Sequence, residues 1–176
     1  MMKRVAIVAR PIELAAYQAY GELVRAGAGD SEGEPANLGT ARRYGALSSL
    51  ENMRGESARP NVSVFRSTPW HGDQFDVTML EKHPLSTQLF VPMNARRYLV
   101  VVAEGASAPD LATLRAFVVD GKTGITYRPG VWHHPIVALD QEIDFVSLVW
   151  EVGGDGDCVE WPASAQITVD FVPKGD

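Results

Sequence analysis

From Asn61 onward the sequence is a succession of short runs rich in β-branched and aromatic residues: NVSVFRS, FDVTMLEKH, STQLFVPM, YLVVVAEG, LRAFVVDG, GITYRPG, VWHHPIVAL, IDFVSLVWEV and QITVDFV. Turn signals separate them, among them Asp120-Gly121, Pro129-Gly130 and the stretch GGDGD. Many short strands at this spacing predict a β-sandwich or β-barrel. Upstream, Val5 to Ala9 reads as a short strand, and IELAAYQAYG has helical spacing that ends near Gly21. The Gly- and acid-rich stretch from Ala26 to Gly39 predicts a loop or disordered excursion, and MRGESARP, Met53 to Pro60, is a second breaker-rich segment. The expected architecture is a single mostly-β domain over residues 1–176 with a short N-terminal strand-helix segment.

A chain of 176 residues can bury a substantial core without staples. Its formal charge of −6 argues against a nucleic-acid partner, because neutralising phosphates needs a basic footprint. A small anionic substrate remains open, since one or two arginines suffice to hold it. The single cysteine, Cys158, rules out an intramolecular disulfide framework and a thiolate metal cluster and fits a reducing compartment. The apolar run VAIVA is cut short by Arg10 and Pro11, and nothing approaches the length of a membrane span. The expected location is the cytoplasm.

Two of the four histidines stand side by side in GVWHHP, as His133 and His134. Neighbours on a strand point to opposite faces, so at most one of them faces a pocket. In FDVTMLEKH, Val77, Met79, Glu81 and His83 share one parity, which places Glu81 and His83 on an inward face. An acid and an imidazole there are costly unless paired, hydrogen-bonded or metal-bound. Pro84 ends the strand; beyond it Gln88 and Phe90 share a face, and Gln88 can return to the same pocket. Pro129-Gly130 predicts a type II turn, and Pro135 a locally unpaired or bulged strand. The acids Asp30, Glu32 and Glu34 lack the rest of a calcium-loop ligand set, and GGDGDC reads as a plain turn.

The pattern Glu81-x-His83-x4-Gln88 followed by Pro129-Gly130-x-x-His133 resembles a worn version of the two cupin motifs, in which His-x-His with a following Glu, and then a Pro/Gly turn with a His, hold a metal inside a small β-barrel. Here Glu81 replaces the first His and Gln88 the Glu. The longer blocks LEKHPLSTQLFVPM, YLVVVAEGASAPDLATLRAFVVDGKTGITYRPGVWHHP and DFVSLVWEVGGDGDC resemble the ureidoglycolate lyase family of allantoin catabolism. The likeness extends to AYQAYGELV, the Asn37 loop and VSVFRS, and is weakest from Ala26 to Arg59.

That resemblance implies a jelly-roll-like cupin barrel, a homodimer, that splits ureidoglycolate into glyoxylate and urea. It implies Glu81, His83 and His133 as catalytic residues. With Gln88 these form a candidate site for a divalent metal such as Ni, Mn or Zn, a metal-free site remaining the alternative. The register after Pro-Gly points to His133, not His134, as the inward residue. The substrate carboxylate calls for a cation or donor cluster, with Arg66 and Arg115 foremost and Arg97 and Arg128 behind them. Tyr127 and Trp132 can line the pocket rim, although a Trp in a barrel is more often core, and Asn37 could cap the pocket from its loop. Competing readings are another cupin enzyme (an isomerase or oxygenase), a non-catalytic ligand-binding cupin, or an amidohydrolase that releases ammonia.

Overall fold

A computed structural model of the protein describes residues 4–171. The chain runs β1 (Arg4–Pro11), α1 (Leu14–Tyr17), β2 (Leu23–Val24), β3 (Glu34–Ala36), β4 (Ala41–Arg43), β5 (Arg59–Ser67), β6 (Gln74–Lys82), β7 (Gln88–Pro92), β8 (Arg97–Ala103), β9 (Arg115–Asp120), β10 (Gly124–Tyr127), β11 (Trp132–His133), β12 (Val137–Leu139), β13 (Ile143–Glu151) and β14 (Val159–Phe171). The first sheet has the order β11-β6-β14-β1-β9-β8-β12, and because β11 also pairs with β8 it closes into a six-stranded barrel. A second, five-stranded sheet, β2-β10-β7-β13-β5, packs outside it. The mostly-β barrel expected from the sequence is the observed architecture.

Two cores result, and one strand feeds both. On β8, Leu99, Val101 and Ala103 point into the closed barrel beside Val77, Leu80, Trp132 and Ile167. The alternate residues Tyr98, Val100 and Val102 point outward, against Phe90, Ile125, Tyr127 and Phe145 of the second sheet. The six side chains from Tyr98 to Ala103 are all buried, which explains why YLVVVA is continuously apolar rather than alternating.

The helical segment is shorter than its spacing suggested, a single turn from Leu14 to Tyr17. Tyr17 and Tyr20 bury their rings against Phe117, and at Gly21 a Cβ would lie 1.7 Å from the Thr126 carbonyl oxygen. The chain therefore needs glycine where it runs tight against β10. The stretch from Ala26 to Gly39, expected as a loop, instead contains β3, and β3 pairs with β4 in an antiparallel hairpin. Two 3₁₀ turns, Ala28–Asp30 and Asn37–Gly39, flank β3. Backbone pairing supplies there what the polar sequence cannot supply by apolar burial.

The parity of β6 also departs from strict alternation. Phe75 and Val77 enter the barrel, but so does Leu80, three residues on. The partner strand β14 shifts register between Pro162 and Ile167, opposite this point. Bulges bend a strand and re-aim the residues beyond them. Glu81 thus leaves the face of Val77, with which the sequence grouped it, and joins the space between the sheets.

Candidate active site

The lower ends of β6, β7, β10, β11 and β13 meet in that space. Glu81 on β6 pairs directly with His133 on β11, and paired residues share a face. Gln88 on β7 pairs with Tyr127 on β10 and with Val149 on β13. Val131 donates its N–H to the Arg128 carbonyl at 3.1 Å, closing a turn with Pro129 and with Gly130 at φ +80°; this is the type II geometry that needs glycine. The turn delivers His133 beneath Tyr127, whose ring lies parallel to the imidazole at 3.9 Å between centroids. His83, just past the end of β6, stacks on the other side at 5.8 Å. His134 points the opposite way, edge-on to Phe75.

Hydrogen bonds fix both imidazoles. His83 Nδ1 meets the Asp157 carbonyl at 2.9 Å and His133 Nδ1 meets the Val131 carbonyl at 3.0 Å. A carbonyl can only accept, so each Nδ1 carries a proton, and in its neutral form each ring presents an Nε2 lone pair. Both Nε2 atoms are buried without a protein partner. His133 Nε2 stands 3.6 Å from Glu81 Oε1, a close approach longer than a hydrogen bond. Burial pushes the His83 imidazole below its ordinary range, as does the neighbouring His133. For Glu81, burial pulls upward, but His133, with His83 and Cys158, outweighs it and holds the carboxyl low. The Cys158 thiol, 3.8 Å from Glu81 Oε2, is pushed up to about 11 by burial and by that carboxylate.

Three further buried atoms lack partners: Gln88 Oε1, the Tyr127 hydroxyl and Ser147 Oγ. Tyr127 stands out among the buried tyrosines. The hydroxyls of Tyr17, Tyr20 and Tyr98 donate to the carbonyls of Thr126, Thr113 and Thr123, whereas that of Tyr127 meets none, and its pKa is raised by burial and by Glu81. Buried polar groups are normally satisfied. Five orphaned polar atoms, four of them at or just past strand ends and Ser147 Oγ one inward position further up β13, therefore mark a place where something else is meant to bind.

Glu81, His83 and His133 can each offer one ligand atom, all within 4.8 Å of one another. Two imidazole nitrogens and a carboxylate oxygen, with Gln88 Oε1 nearby, fit a divalent transition ion. These are the donors that the sequence grouped. Ser147 was missed, although it occupies the inward series of β13 with Ile143, Phe145 and Val149. A hydroxyl in an otherwise apolar inward series was the available signal.

The cations stand elsewhere. Arg66 is exposed and makes two bonds to Asp144, at 2.8 and 2.9 Å. Its partner lies on β13 five residues before Val149, roughly 17 Å away at the usual strand rise. Arg115 belongs to the transverse row His133–Val102–Arg115, but its guanidinium turns back to the carbonyls of Ala112 and Leu114 and borders a groove with Arg10 and Ala16. Arg97 pairs with Asp140, and Arg128 reaches Glu22. Asn37 is exposed at the tip of the β3–β4 hairpin. Trp132 lies in the barrel core, not at a rim, and Tyr127 is fully enclosed.

A β-barrel protein with a carboxylate and two imidazoles converging beside its closed core is the class to which these features belong. The family is more particular. The family model described as ureidoglycolate lyase matches residues 4–170, and the chain belongs to that family. It is 41% identical over 149 residues to the ureidoglycolate lyase of Burkholderia mallei (strain NCTC 10229), covering 83% of this chain and 82% of the relative. It is 37% identical over 148 residues to the ureidoglycolate lyase of Salmonella typhimurium, covering 84% and 88%. Among solved structures it is similar to a dTDP sugar isomerase from Desulfovibrio desulfuricans G20 (TM-score 0.45, 16% identity, 81% of this chain and 82% of that one). It is also similar to a 3,4-ketoisomerase from Helicobacter canadensis (TM-score 0.45, 10% identity, 79% and 89%).

Proposed function

We propose that the protein is a lyase that cleaves ureidoglycolate into glyoxylate and urea, in the breakdown of allantoin. The observation that carries the reading is the cluster of orphaned Nε2 atoms facing Glu81, in a chain of this family. Ureidoglycolate is a carbinolamine, with hydroxyl, carboxylate and ureido nitrogen on one carbon. Its cleavage transfers the hydroxyl proton to the departing nitrogen, breaks the C–N bond and leaves an aldehyde; no water is consumed. One base that accepts the proton and returns it is sufficient. His133 Nε2 is placed for that exchange, with Glu81 beside it to favour the protonated imidazole transiently formed. His83 Nε2 can accept from a second donor on the substrate. Ser147, Tyr127 and the Gln88 amide supply neutral polar contacts for the carboxylate and urea ends. Arg66, on Asp144 at the far end of β13, stands too far away to reach this substrate, and Arg115 would reach it only by leaving the carbonyls of Ala112 and Leu114.

A divalent ion such as Ni, Mn or Zn held by Glu81, His83 and His133, with Gln88 as a further donor, would act as a Lewis acid toward the substrate's oxygens. The net charge of −6 supports a small-molecule ligand over nucleic acid. Among the described residues no helix is long and apolar enough to cross a membrane; with the single unpaired cysteine this supports action in the cytoplasm. The chain works as a single domain and as a homodimer. Support for the dimer comes from the outer face of the second sheet, where Val62, Val64, Leu89, Val91, Val146 and Leu148 lie in adjacent register with no layer of the described residues over them. Val64→Glu should convert a dimer into monomers in sedimentation; a wild-type monomer would remove the assignment.

Product analysis tests the reaction. Racemic ureidoglycolate is incubated with the protein before and after chelator treatment, and glyoxylate, urea and ammonia are assayed separately. Glyoxylate with stoichiometric urea is expected, and activity lost on chelation would bring the ion into the reaction. Ammonia in place of urea would make the enzyme an amidohydrolase. No glyoxylate above background would return the barrel to other cupin chemistries or to ligand binding.

A further inference from the structure

The β13–β14 turn, GGDGDC, sends two consecutive residues to the site: the Asp157 carbonyl to His83 Nδ1 and the Cys158 thiol to Glu81. The turn is held from within by the Asp157 carboxylate. It accepts backbone N–H bonds from Val152 at 3.1 Å, Gly153 at 2.7 Å and Gly154 at 3.0 Å. From outside it is held by Arg54, whose guanidinium donates to the Gly156 carbonyl at 2.6 Å and pairs with the Asp157 carboxylate at 3.1 Å. Both side chains are largely enclosed, 18% and 11% exposed.

Arg54 is itself anchored to the loop that follows His83. The Met53 N–H donates to the Leu85 carbonyl, the Thr87 N–H to the Glu51 carbonyl, and the Glu51 N–H to Thr87 Oγ1. Asn52 Oδ1 accepts the Arg54 N–H at 3.0 Å. The segment 51–54 thus joins the two stretches that flank the His83 ring, one continuing from it in sequence and the other carrying its acceptor.

We infer that Arg54 and Asp157 are positioning residues, a clasp that seats the Asp157 carbonyl on His83 Nδ1 and so keeps the His83 Nε2 lone pair facing Glu81 and His133. Without the clasp the turn is a six-residue glycine-rich excursion with little to fix it, and the ring can rotate or exchange tautomer. His133 is held differently, by the Val131 carbonyl within its own turn, so the clasp acts on one imidazole and not the other. The inference rests on the reading of His83 as a working residue of the site, and its test does not depend on the substrate assigned above.

The test is a two-bond ¹H–¹⁵N spectrum of histidine-labelled protein at neutral pH, with steady-state kinetics alongside. Wild type should show His83 and His133 each as a single Nδ1–H tautomer. In Arg54→Met and Asp157→Asn, His83 should show Nε2–H tautomer or exchange broadening while His133 stays as in wild type. The kcat should fall about tenfold to a hundredfold, as when the orienting partner of a working imidazole is lost, with KM changed less than about threefold. Arg54→Lys, which keeps the charge, should fall between. Arg54→Met leaves the turn's internal bonds in place, so it answers the question if Asp157→Asn fails to fold. Unaltered His83 tautomer in a folded Arg54→Met protein, or equal disturbance of His133, would overturn the clasp. If wild type fails to cleave ureidoglycolate, the spectra still decide it.

Discussion

Strand β8 is buried on both faces, but the two faces meet different company. Leu99, Val101 and Ala103 look into a closed barrel filled by aliphatic and aromatic side chains, where the Trp132 indole N–H reaches the Gly105 carbonyl. Tyr98, Val100 and Val102 look into a second core that begins as dry as the first and ends in Glu81, two imidazoles and a phenol. All five orphaned polar atoms lie on the second side and none in the barrel, among the described residues. A closed ring of strands has no free edge, and the interior of this one is packed by its own side chains. The open-edged sheet laid against it brings Gln88, Tyr127 and Ser147 to the side that Glu81 and the two imidazoles occupy. Stability and chemistry are thus assigned to opposite faces of the same strands.

Substitutions on the two sides should therefore separate activity from stability. His133→Ala removes a proton carrier and should lower kcat by about 10²–10⁴-fold, with the far-ultraviolet circular dichroism spectrum retained. A folded variant with normal turnover would remove His133 from the reaction. Leu99→Ala opens a cavity in the closed barrel and should cost about 2–5 kcal/mol, lowering Tm by roughly 5–15 °C. Its kcat at 25 °C should stay within about twofold of wild type; a comparable loss of activity would mean that the barrel core tunes the site. Tyr127→Phe keeps the ring stacked on His133 but deletes an unsatisfied hydroxyl, so Tm should hold or rise by the equivalent of about 1 kcal/mol. Turnover should fall about tenfold if the hydroxyl contacts substrate, and an unchanged kcat/KM would place it outside the site.

Much of this was legible because strands write their faces into the sequence. The barrel and the Pro129-Gly130 turn follow from strand spacing and turn chemistry, alternation puts Glu81 and His83 on one face, and the full grouping with Gln88 and His133 follows from the resemblance to the two cupin motifs. The illegible part depends on contacts between segments distant in sequence. The register shift between Pro162 and Ile167 re-aims Glu81, and nothing within FDVTMLEKH announces it. The β3–β4 hairpin forms in a stretch whose composition reads as loop, because its backbone bonds are indifferent to side-chain polarity. Arg66 looked available mid-strand, but its partner Asp144 lies 78 residues away. GGDGDC reads correctly as a turn, yet that reading could not show that the Asp157 carbonyl orients His83.

The smallest effect is expected one residue from the largest. His134 comes directly after His133 on the chain but faces the other core, edge-on to Phe75 at 4.9 Å, with Trp70 beyond it. Its Nδ1 bonds to the Pro135 carbonyl, and its backbone N–H donates to Val101; only the first of these belongs to the side chain. His134→Ala should therefore lose one aromatic contact and one local hydrogen bond, about 1 kcal/mol in all, and kcat should stay within about twofold of wild type. The paired measurement, His133→Ala beside His134→Ala under one assay, reads the orientation of the strand directly. Were His134→Ala the more damaging to kcat, with Tm unmoved, the working imidazole would face the barrel and the division between a structural core and a reactive one would be reversed. Were both variants equally inactive but only His134→Ala unstable, the edge-on contact with Phe75 would be transmitting strain through the shared backbone to His133, and the two cores would act as one.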